Sequence, residues 1–203
     1  MSAPVILALG DSLTAGYGLA TFQSFAAQLE TALQPTHRGA RVTNAGVSGD
    51  TTTAALKRLP RELGRLKAKP DLAIVQLGAN DLIRGIPLTV TRVNLDTIIA
   101  ELIRIDIPVL LATMEAPAIL GAFGRAYATM YADLAAKHRI PATPFFPSGV
   151  LANPSLCLRD GIHPNALGIA AVTRAFLPVV IAALESGGAA GRASAPDRRS
   201  ASR

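Results

Sequence analysis

Short runs of apolar residues alternate along this chain with longer segments in which apolar residues recur at helical spacing. The short runs predict five strands, over residues 5–9, 41–44, 72–77, 109–113 and 142–146. Taken together, most positions in these runs are apolar, without strict alternation, which is typical of strands that are covered on both faces. The longer segments predict helices over residues 21–34, 87–105, 121–138 and 165–185.

Particular residues mark the predicted helices. Thr21 is the expected N-cap of the first helix, and Pro87 is expected to open the second. The second helix repeats apolar residues near helical spacing, at Val90, Val93, Ile98 and Leu102. Pro178 is expected to bend the last helix.

Alternating strands and helices predict parallel strand pairing through right-handed crossovers. The expected fold class is therefore α/β, with three layers, α/β/α, around a central parallel sheet. A length of 203 residues suits one domain with a full hydrophobic core, which we assign to residues 1–185. The remaining segment, 186–203, is rich in Gly, Ala, Ser and Arg and predicts a disordered basic tail.

The formal net charge of +6 is divided between the domain and the tail. Four arginines and one aspartate give the tail +3, and 16 basic and 13 acidic residues give the domain the other +3. The basic residues of the domain are scattered, without a stripe interleaved with aromatic residues. We therefore expect no specific nucleic-acid partner.

Other features of the chain bear on its surroundings. A single cysteine, Cys157, excludes an internal disulfide framework. No apolar run approaches the ~18 residues of a membrane-spanning helix, so no transmembrane segment is expected. The N-terminal apolar run is only five residues long and has no basic region before it. We expect a cytoplasmic protein if Met1 is the native start, and a periplasmic one if a leader has been removed.

Four polar, glycine-containing segments are expected at one edge of the sheet. Gly10-Asp11-Ser12 ends the first strand, residues 44–51 (NAGVSGDT) follow the second, and residues 77–81 (LGAND) follow the third. Residues 160–165 (DGIHPN) precede the last helix. Because ligands of parallel sheets bind beyond the carboxyl ends of the strands, these segments predict a functional site.

The residue types at this edge suit nucleophilic catalysis. Ser12 is a weak nucleophile until a base removes its proton, and His163 is the best base available because imidazole titrates near neutral pH. Asp160 lies three residues before His163, a spacing that lets its carboxylate reach the imidazole Nδ1–H and fix the tautomer. Pro164 fits the first turn of the following helix. Cys157 lies near Asp160, but we interpret it as an apolar loop residue because Ser12 has the better strand-end position.

Donors for a developing oxyanion are available on the same segments. The backbone N–H groups of Gly46 and Ser12 and the side-chain amide of Asn80 are the candidates. Leu13 and Ile162 flank the catalytic residues and are candidates for substrate binding, with core packing as the alternative. Taken singly, each motif is also typical of a helix cap or a turn. Their order along the predicted edge favours the catalytic interpretation.

These motifs resemble the four signature blocks of the GDSL, or SGNH, hydrolases. The blocks are GDSLTAGYG at 10–18, Gly46 in NAGVSGDT, Asn80 in LGAND, and DGIHPN at 160–165. The resemblance covers nearly all of residues 5–180 and is strongest to the bacterial arylesterase and acyl-CoA thioesterase I (lysophospholipase) group. It implies a flavodoxin-like fold, Ser12 as nucleophile, His163 as base, Asp160 as its orienting carboxylate, and an oxyanion hole of Ser12, Gly46 and Asn80.

The resemblance implies a serine hydrolase that cleaves small-molecule carboxylic esters or thioesters through an acyl-enzyme, with no metal and no cofactor. Leu82 stands where the group often has glycine, in a loop that commonly flexes over the acyl chain. The substrate preference and the mobility of this loop are therefore the properties in which this chain can differ from the group, whereas the chemistry is expected to be the same. The chain lacks the G-x-S-x-G elbow of ordinary α/β-hydrolases, since position 14 is threonine. Two alternatives are a carbohydrate acetyl esterase, disfavoured by the scarcity of aromatic residues, and a non-catalytic binding module of the same fold.

Overall fold

The fold is built on a five-stranded parallel sheet. The computed structural model describes residues 3–114 and 121–193, with the backbone alone at Phe123 and 187–193. The strands are β1 (Val5–Gly10), β2 (Arg41–Gly46), β3 (Leu72–Gln76), β4 (Val109–Thr113) and β5 (Ala142–Pro144). They lie in the order β2-β1-β3-β4-β5, and every pair is parallel. All five predicted strands are therefore present, although β5 ends two residues early.

Seven α-helices lie in the described part of the chain, together with one 3₁₀ turn over Thr21–Gln23. The helices are α1 (Ser12–Ala15), α2 (Phe25–Leu33), α3 (Thr52–Gly64), α4 (Ala79–Ile83), α5 (Leu88–Arg104), α6 (Gly121–His138) and α7 (Ala166–Ala193). The sequence pattern did not predict α3, whose Thr-rich start and internal Pro60 disfavour a helix by propensity.

Residues on alternate sides of the strands pack into two separate cores. Leu7, Leu9 and Val75 face one core, which α3, α5 and α6 complete. Ile6 and Ile74 face the other, which α2 and α7 complete. The sheet is thus covered on both faces, as the near-continuous apolar runs predict, and the three-layer α/β/α architecture is confirmed.

Three details of the helices differ from the predictions. Ser24, not Thr21, caps α2, because its Oγ accepts a hydrogen bond from the Ala27 N–H at 3.4 Å, whereas Thr21 opens the 3₁₀ turn. Pro87 is the N-cap of α5 rather than its first residue. Val90 and Val93 are exposed, and the buried face of α5 is formed instead by Thr91, Leu95, Ile98, Ile99 and Leu102.

The last helix, α7, differs most from the sequence-based prediction. It contains Pro178 and continues to Ala193, eight residues into the segment predicted to be a disordered tail; residues 194–203 lie outside the described part. Ala166–Ser186 is also long and apolar enough, by length and composition, to cross a membrane. The stretch was not predicted as a membrane span because scattered polar residues, such as Arg174, interrupt its apolar run. One such helix is weak evidence for a membrane span. Its buried residues belong to the core shared with α2: Ile169, Val172, Phe176 and Val180.

Candidate active site

Ser12 lies at the turn between β1 and α1, at the carboxyl edge of the sheet. Asp11 caps α1, with its Oδ1 accepting a hydrogen bond from the Leu13 N–H at 3.0 Å. Gly10 has no room for a side chain, because a Cβ there would collide with the Thr14 hydroxyl. The strand therefore passes directly into a helix that begins at Ser12. Ser12 itself is 9% exposed.

His163 and Asp160 complete a continuous hydrogen-bonded chain with Ser12. The His163 Nε2 lies 2.9 Å from the Ser12 Oγ across a sequence separation of 151 residues. The His163 Nδ1 lies 2.7 Å from the Asp160 Oδ2. The structure thus brings together the three residues predicted as nucleophile, base and orienting carboxylate.

Asp160 is held by the backbone of the same turn. Its Oδ1 accepts hydrogen bonds from the Ile162 and His163 N–H groups, both at 2.9 Å. These two bonds, first the one from His163, lower the pKa of Asp160 from 3.8 to about 2, and the imidazole adds to the effect. Gly161 supplies the positive φ of +69° that lets the chain turn back within three residues.

A short antiparallel bridge fixes the segment that carries His163. Cys157 pairs with Pro164, and the Leu158 N–H donates to the His163 carbonyl at 2.7 Å. Pro164 therefore lies in this bridge and not in the first turn of α7, which Asn165 caps by accepting from the Leu167 and Gly168 N–H groups. Cys157 is buried and donates from Sγ to the Val150 carbonyl, in agreement with its interpretation as a packed loop residue.

Tyr17 is a member of the site that the sequence analysis missed. Its ring centroid lies 4.5 Å from that of the His163 imidazole, with the two planes inclined by 38°. The ring is half exposed and lines a small cavity with Ser12, Leu13 and His163. Its place within the first motif, GDSLTAGYG, was the available signal, but a side-chain contact with His163 requires the tertiary fold.

The Asn80 side chain contacts both the loop that carries Asp50 and the turn that carries Ser12. Its Nδ2 donates to the Asp50 carbonyl at 3.0 Å and, more weakly, to the Asp11 Oδ2 at 3.4 Å. Asn80 belongs to α4, which starts after Gly78; a Cβ at Gly78 would collide with the Tyr131 hydroxyl. The amide is therefore positioned at the edge of the sheet where the oxyanion donor was expected.

Gly46 has a different environment from the one its predicted role requires. Its N–H donates to the Asn44 Oδ1 at 3.0 Å, so this group already has an acceptor. A Cβ at Gly46 would collide with the Ala15 backbone, which explains the glycine by packing against α1. Gly49 lies three residues later, in the turn between Val47 and Asp50, where it has a φ of +82°. Within residues 3–114 and 121–193, the N–H of Gly49 has no acceptor.

The two predicted substrate-binding residues lie in contrasting environments. Leu13 is 4% exposed and packs in the core shared with α2 and α7, although its edge lines the small cavity beside Ser12. Ile162 is 46% exposed, directly before His163. Core packing, the alternative considered for both residues, is therefore the main environment of Leu13 and not that of Ile162.

Asp11 is completely buried beneath the site. Burial raises the pKa of its carboxyl from 3.8 to about 6, against the opposing effect of the hydrogen bonds from the Leu13 N–H and with Gln76. The Gln76 Oε1 accepts from the Thr14 hydroxyl at 2.8 Å and from the Asp11 N–H at 3.4 Å. Gln76 thus ties the end of β3 to the nucleophile turn, a contact that the sequence analysis also missed.

Comparisons with known proteins identify the family to which this chain is similar. A family model described as the GDSL-like Lipase/Acylhydrolase family matches residues 8–171. An arylesterase of Vibrio mimicus is 35% identical over 164 residues, which are 79% of this chain and 80% of that protein. Thioesterase 1/protease 1/lysophospholipase L1 of Escherichia coli (strain K12) is 34% identical over 165 residues, 81% of this chain and 77% of that protein.

The fold is also similar to that of solved structures. The crystal structure of AlinE4, an SGNH-hydrolase family esterase, superposes with a TM-score of 0.75 at 46% sequence identity. The superposition covers 91% of this chain and 98% of that one. The similarity therefore includes the whole sheet and the segments at its carboxyl edge.

Proposed function

The chain belongs to the GDSL-like lipase/acylhydrolase family, whose relatives are hydrolases of ester bonds, and we propose that it cleaves carboxylic esters or thioesters at Ser12. The observation that carries the proposal is the chain of two hydrogen bonds from the Ser12 Oγ through His163 to Asp160, at 2.9 and 2.7 Å. A serine, an imidazole and a carboxylate in this order are what a serine nucleophile needs.

In the acylation step, the His163 Nε2 takes the proton of the Ser12 hydroxyl as the Oγ attacks the acyl carbonyl carbon. Asp160 stabilises the imidazolium that forms and keeps the Nδ1–H directed at its carboxylate. His163 then gives the proton to the leaving alcohol or thiol, and the acyl group remains on Ser12. In the second step, water activated by His163 attacks the acyl-enzyme and releases the acid.

The carbonyl oxygen of the substrate becomes an oxyanion during both steps and needs hydrogen-bond donors. The Ser12 N–H and the Asn80 amide are the first two. One N–H of the Asn80 amide is held by the Asp50 carbonyl at 3.0 Å, and the other, whose contact with the Asp11 Oδ2 is long at 3.4 Å, is the one that can turn to the oxyanion. Gly46 was predicted as the third, but its N–H is used by Asn44. The N–H of Gly49, without an acceptor in the described residues, is better supported as the third donor.

Exposed apolar side chains next to the site support an acyl substrate. Tyr17, Ile162 and Val47 are 52, 46 and 42% exposed and each lies next to a segment of the site. The substrate is a small-molecule acyl ester or thioester in this proposal, and the acyl chain would be received on an apolar surface rather than in a deep pocket.

Initial rates on p-nitrophenyl acetate, butyrate, octanoate and palmitate, and on the matching acyl-CoAs, test the proposal. Ser12→Ala serves as the blank and is expected to abolish turnover while its thermal unfolding stays that of the wild type. An organophosphonate is expected to label the wild type at Ser12 with a stoichiometry of one. An active, folded Ser12→Ala variant would overturn the assignment, and a protein that neither turns over nor is labelled would be a binding module.

A further inference from the structure

Arg58 is a buried cation at the edge of the sheet that takes no part in the chemistry described above. It lies in the middle of α3, and its side chain is 9% exposed. The Nε donates to the Asp50 Oδ2 at 2.6 Å, and the Asp50 side chain is equally buried. The next carboxylate, Glu62, lies 3.9 Å from the Nη1, and that nitrogen has no hydrogen-bond partner within the described residues.

The same guanidinium also binds the ends of two strands. Its Nη2 donates to the Gly10 carbonyl at 3.0 Å and to the Ala45 carbonyl at 2.8 Å. Gly10 immediately precedes the turn that carries Ser12, and Ala45 immediately precedes the loop that carries Gly49. One side chain therefore bridges the carbonyl groups of β1 and β2, in addition to the strand pairing, at the point where the nucleophile and the candidate oxyanion donors leave the sheet.

Asp50 extends this arrangement to the third segment. Its carboxylate is held by Arg58, and its main-chain carbonyl accepts the hydrogen bond from the Asn80 Nδ2. A displacement of Asp50 would therefore move the Asn80 amide. Arg58 is connected in this way to the nucleophile turn, the Gly49 loop and Asn80.

We propose that Arg58 is a positioning residue for the oxyanion hole, acting through Gly10, Ala45 and Asp50 without touching the substrate. The inference rests on the proposed function of the site. A planar guanidinium can make the carboxylate contact and both carbonyl contacts at once, which a lysine ammonium on its flexible stem cannot do in the same geometry. Since a misplacement of about 1 Å can cost ~10²-fold in rate, a loosened edge should affect turnover more than substrate binding.

The test compares Arg58→Lys with Leu59→Val. Leu59 is the next residue of α3, is 1% exposed, packs in the core and makes none of the Arg58 hydrogen bonds, so its variant reports lost stability with those bonds intact. On p-nitrophenyl acetate, Arg58→Lys is expected to lower kcat by about 10- to 100-fold with KM within about twofold. Leu59→Val is expected to keep kcat within about twofold, even with an equal or larger fall in Tm.

A second variant decides the matter if Arg58→Lys does not fold. Asp50→Asn keeps the size of the side chain but removes its charge, and the same selective fall in kcat is expected. Phosphonate labelling counts the folded, competent sites, so that kcat is expressed per labelled site. Variants whose kcat per site matches that of Leu59→Val would overturn the inference. An inactive, unlabelled wild type would instead refute the proposed function.

Discussion

The ring of Tyr17 packs against the imidazole of His163, 4.5 Å between centroids, and so covers one face of the proposed base. The contact joins a residue just after α1 to the turn before α7, 146 positions further along the chain. Together with the hydrogen bonds of the two ring nitrogens, it limits the rotation of the imidazole. Tyr17 therefore belongs to the part of the site that orients His163.

Replacing Tyr17 by alanine is expected to lower kcat/KM by about 2- to 10-fold, because aromatic pairs contribute about 0.5–1.5 kcal/mol beyond their buried area. Tyr17→Phe keeps the ring and is expected to retain wild-type kcat/KM on p-nitrophenyl butyrate. A loss of activity in Tyr17→Phe equal to that in Tyr17→Ala would show that the hydroxyl, not the ring, is the important group.

Asp160→Asn is expected to lower kcat by about 10²- to 10⁴-fold, because the amide no longer stabilises the imidazolium. The pKa of Asp160 is lowered to about 2, chiefly by the His163 N–H, so the carboxylate stays ionised at every pH above about 3. Its contribution to stability is full above pH 3.8 and is lost as the pH falls through about 2. The Asp160 carboxylate itself should accordingly not titrate between pH 5 and 8.

Asp133→Asn is the control for this measurement. Asp133 lies on α6, where its carboxylate contacts Arg92 at 3.0 Å on the surface. This variant removes a carboxylate without touching His163 and is expected to retain wild-type kcat. An Asp160 carboxyl group that titrates above pH 4, followed by ¹³C NMR of the wild type, would contradict the low pKa of Asp160.

Asp11 makes the stability of the fold depend on pH with the opposite sign. Its pKa is raised from 3.8 to about 6 by burial, so the folded protein binds the proton more tightly than the unfolded chain. The stabilising contribution is complete below pH 3.8 and is lost as the pH rises through about 6. The shift corresponds to about 3 kcal/mol of the free energy of unfolding.

The measurement is urea unfolding of the wild type and Asp11→Asn at intervals from pH 4 to 7. Asparagine cannot titrate, so the difference between the two free energies of unfolding isolates Asp11 from the other carboxyl groups. This difference is expected to change by about 2 kcal/mol between pH 4 and 7, because the unfolded chain is already partly ionised at pH 4, with the wild type losing stability relative to the variant as the pH rises. A difference that is independent of pH would show that Asp11 titrates normally.

Much of the fold and the triad could be predicted from sequence because the signals are local. The strands are continuous apolar runs, and Asp160 and His163 lie within one turn, so their spacing alone brings them together. Ser12 ends a strand, which places it at the edge of the sheet in any parallel topology. These features need only the strand direction to be interpreted.

The features that were missed depend on contacts between distant segments. Arg58 lies on α3, a helix that the sequence pattern did not predict because Pro60 and the threonines at its start have poor helix propensities. The contact of Arg58 with the ends of β1 and β2 therefore had no local signal in the sequence. Val90 and Val93 fit a helical spacing but lie on the exposed side of α5, since the face that packs is decided by the neighbouring helices.

Gly46 shows how a motif can indicate a segment without indicating the residue. The sequence favoured Gly46 as an oxyanion donor because a glycine offers its backbone N–H with no side chain in the way. Its hydrogen bond to Asn44 and its packing against Ala15 explain the glycine without any catalytic role. The choice between Gly46 and Gly49 therefore requires an experiment that removes one N–H at a time.

Replacing a single backbone N–H by an ester oxygen, with glycolic acid introduced at position 46 or 49, removes one donor and leaves every side chain in place. The ester at position 49 is expected to lower kcat by about 10²- to 10³-fold, the usual effect of losing one oxyanion donor. The ester at position 46 removes the bond to Asn44 and makes the Ala45 carbonyl a weaker acceptor for Arg58, and is expected to retain kcat within about threefold, with a modest fall in Tm. The reverse result would return the donor role to Gly46, because it would mean that the Asn44 bond is exchanged for the oxyanion during turnover.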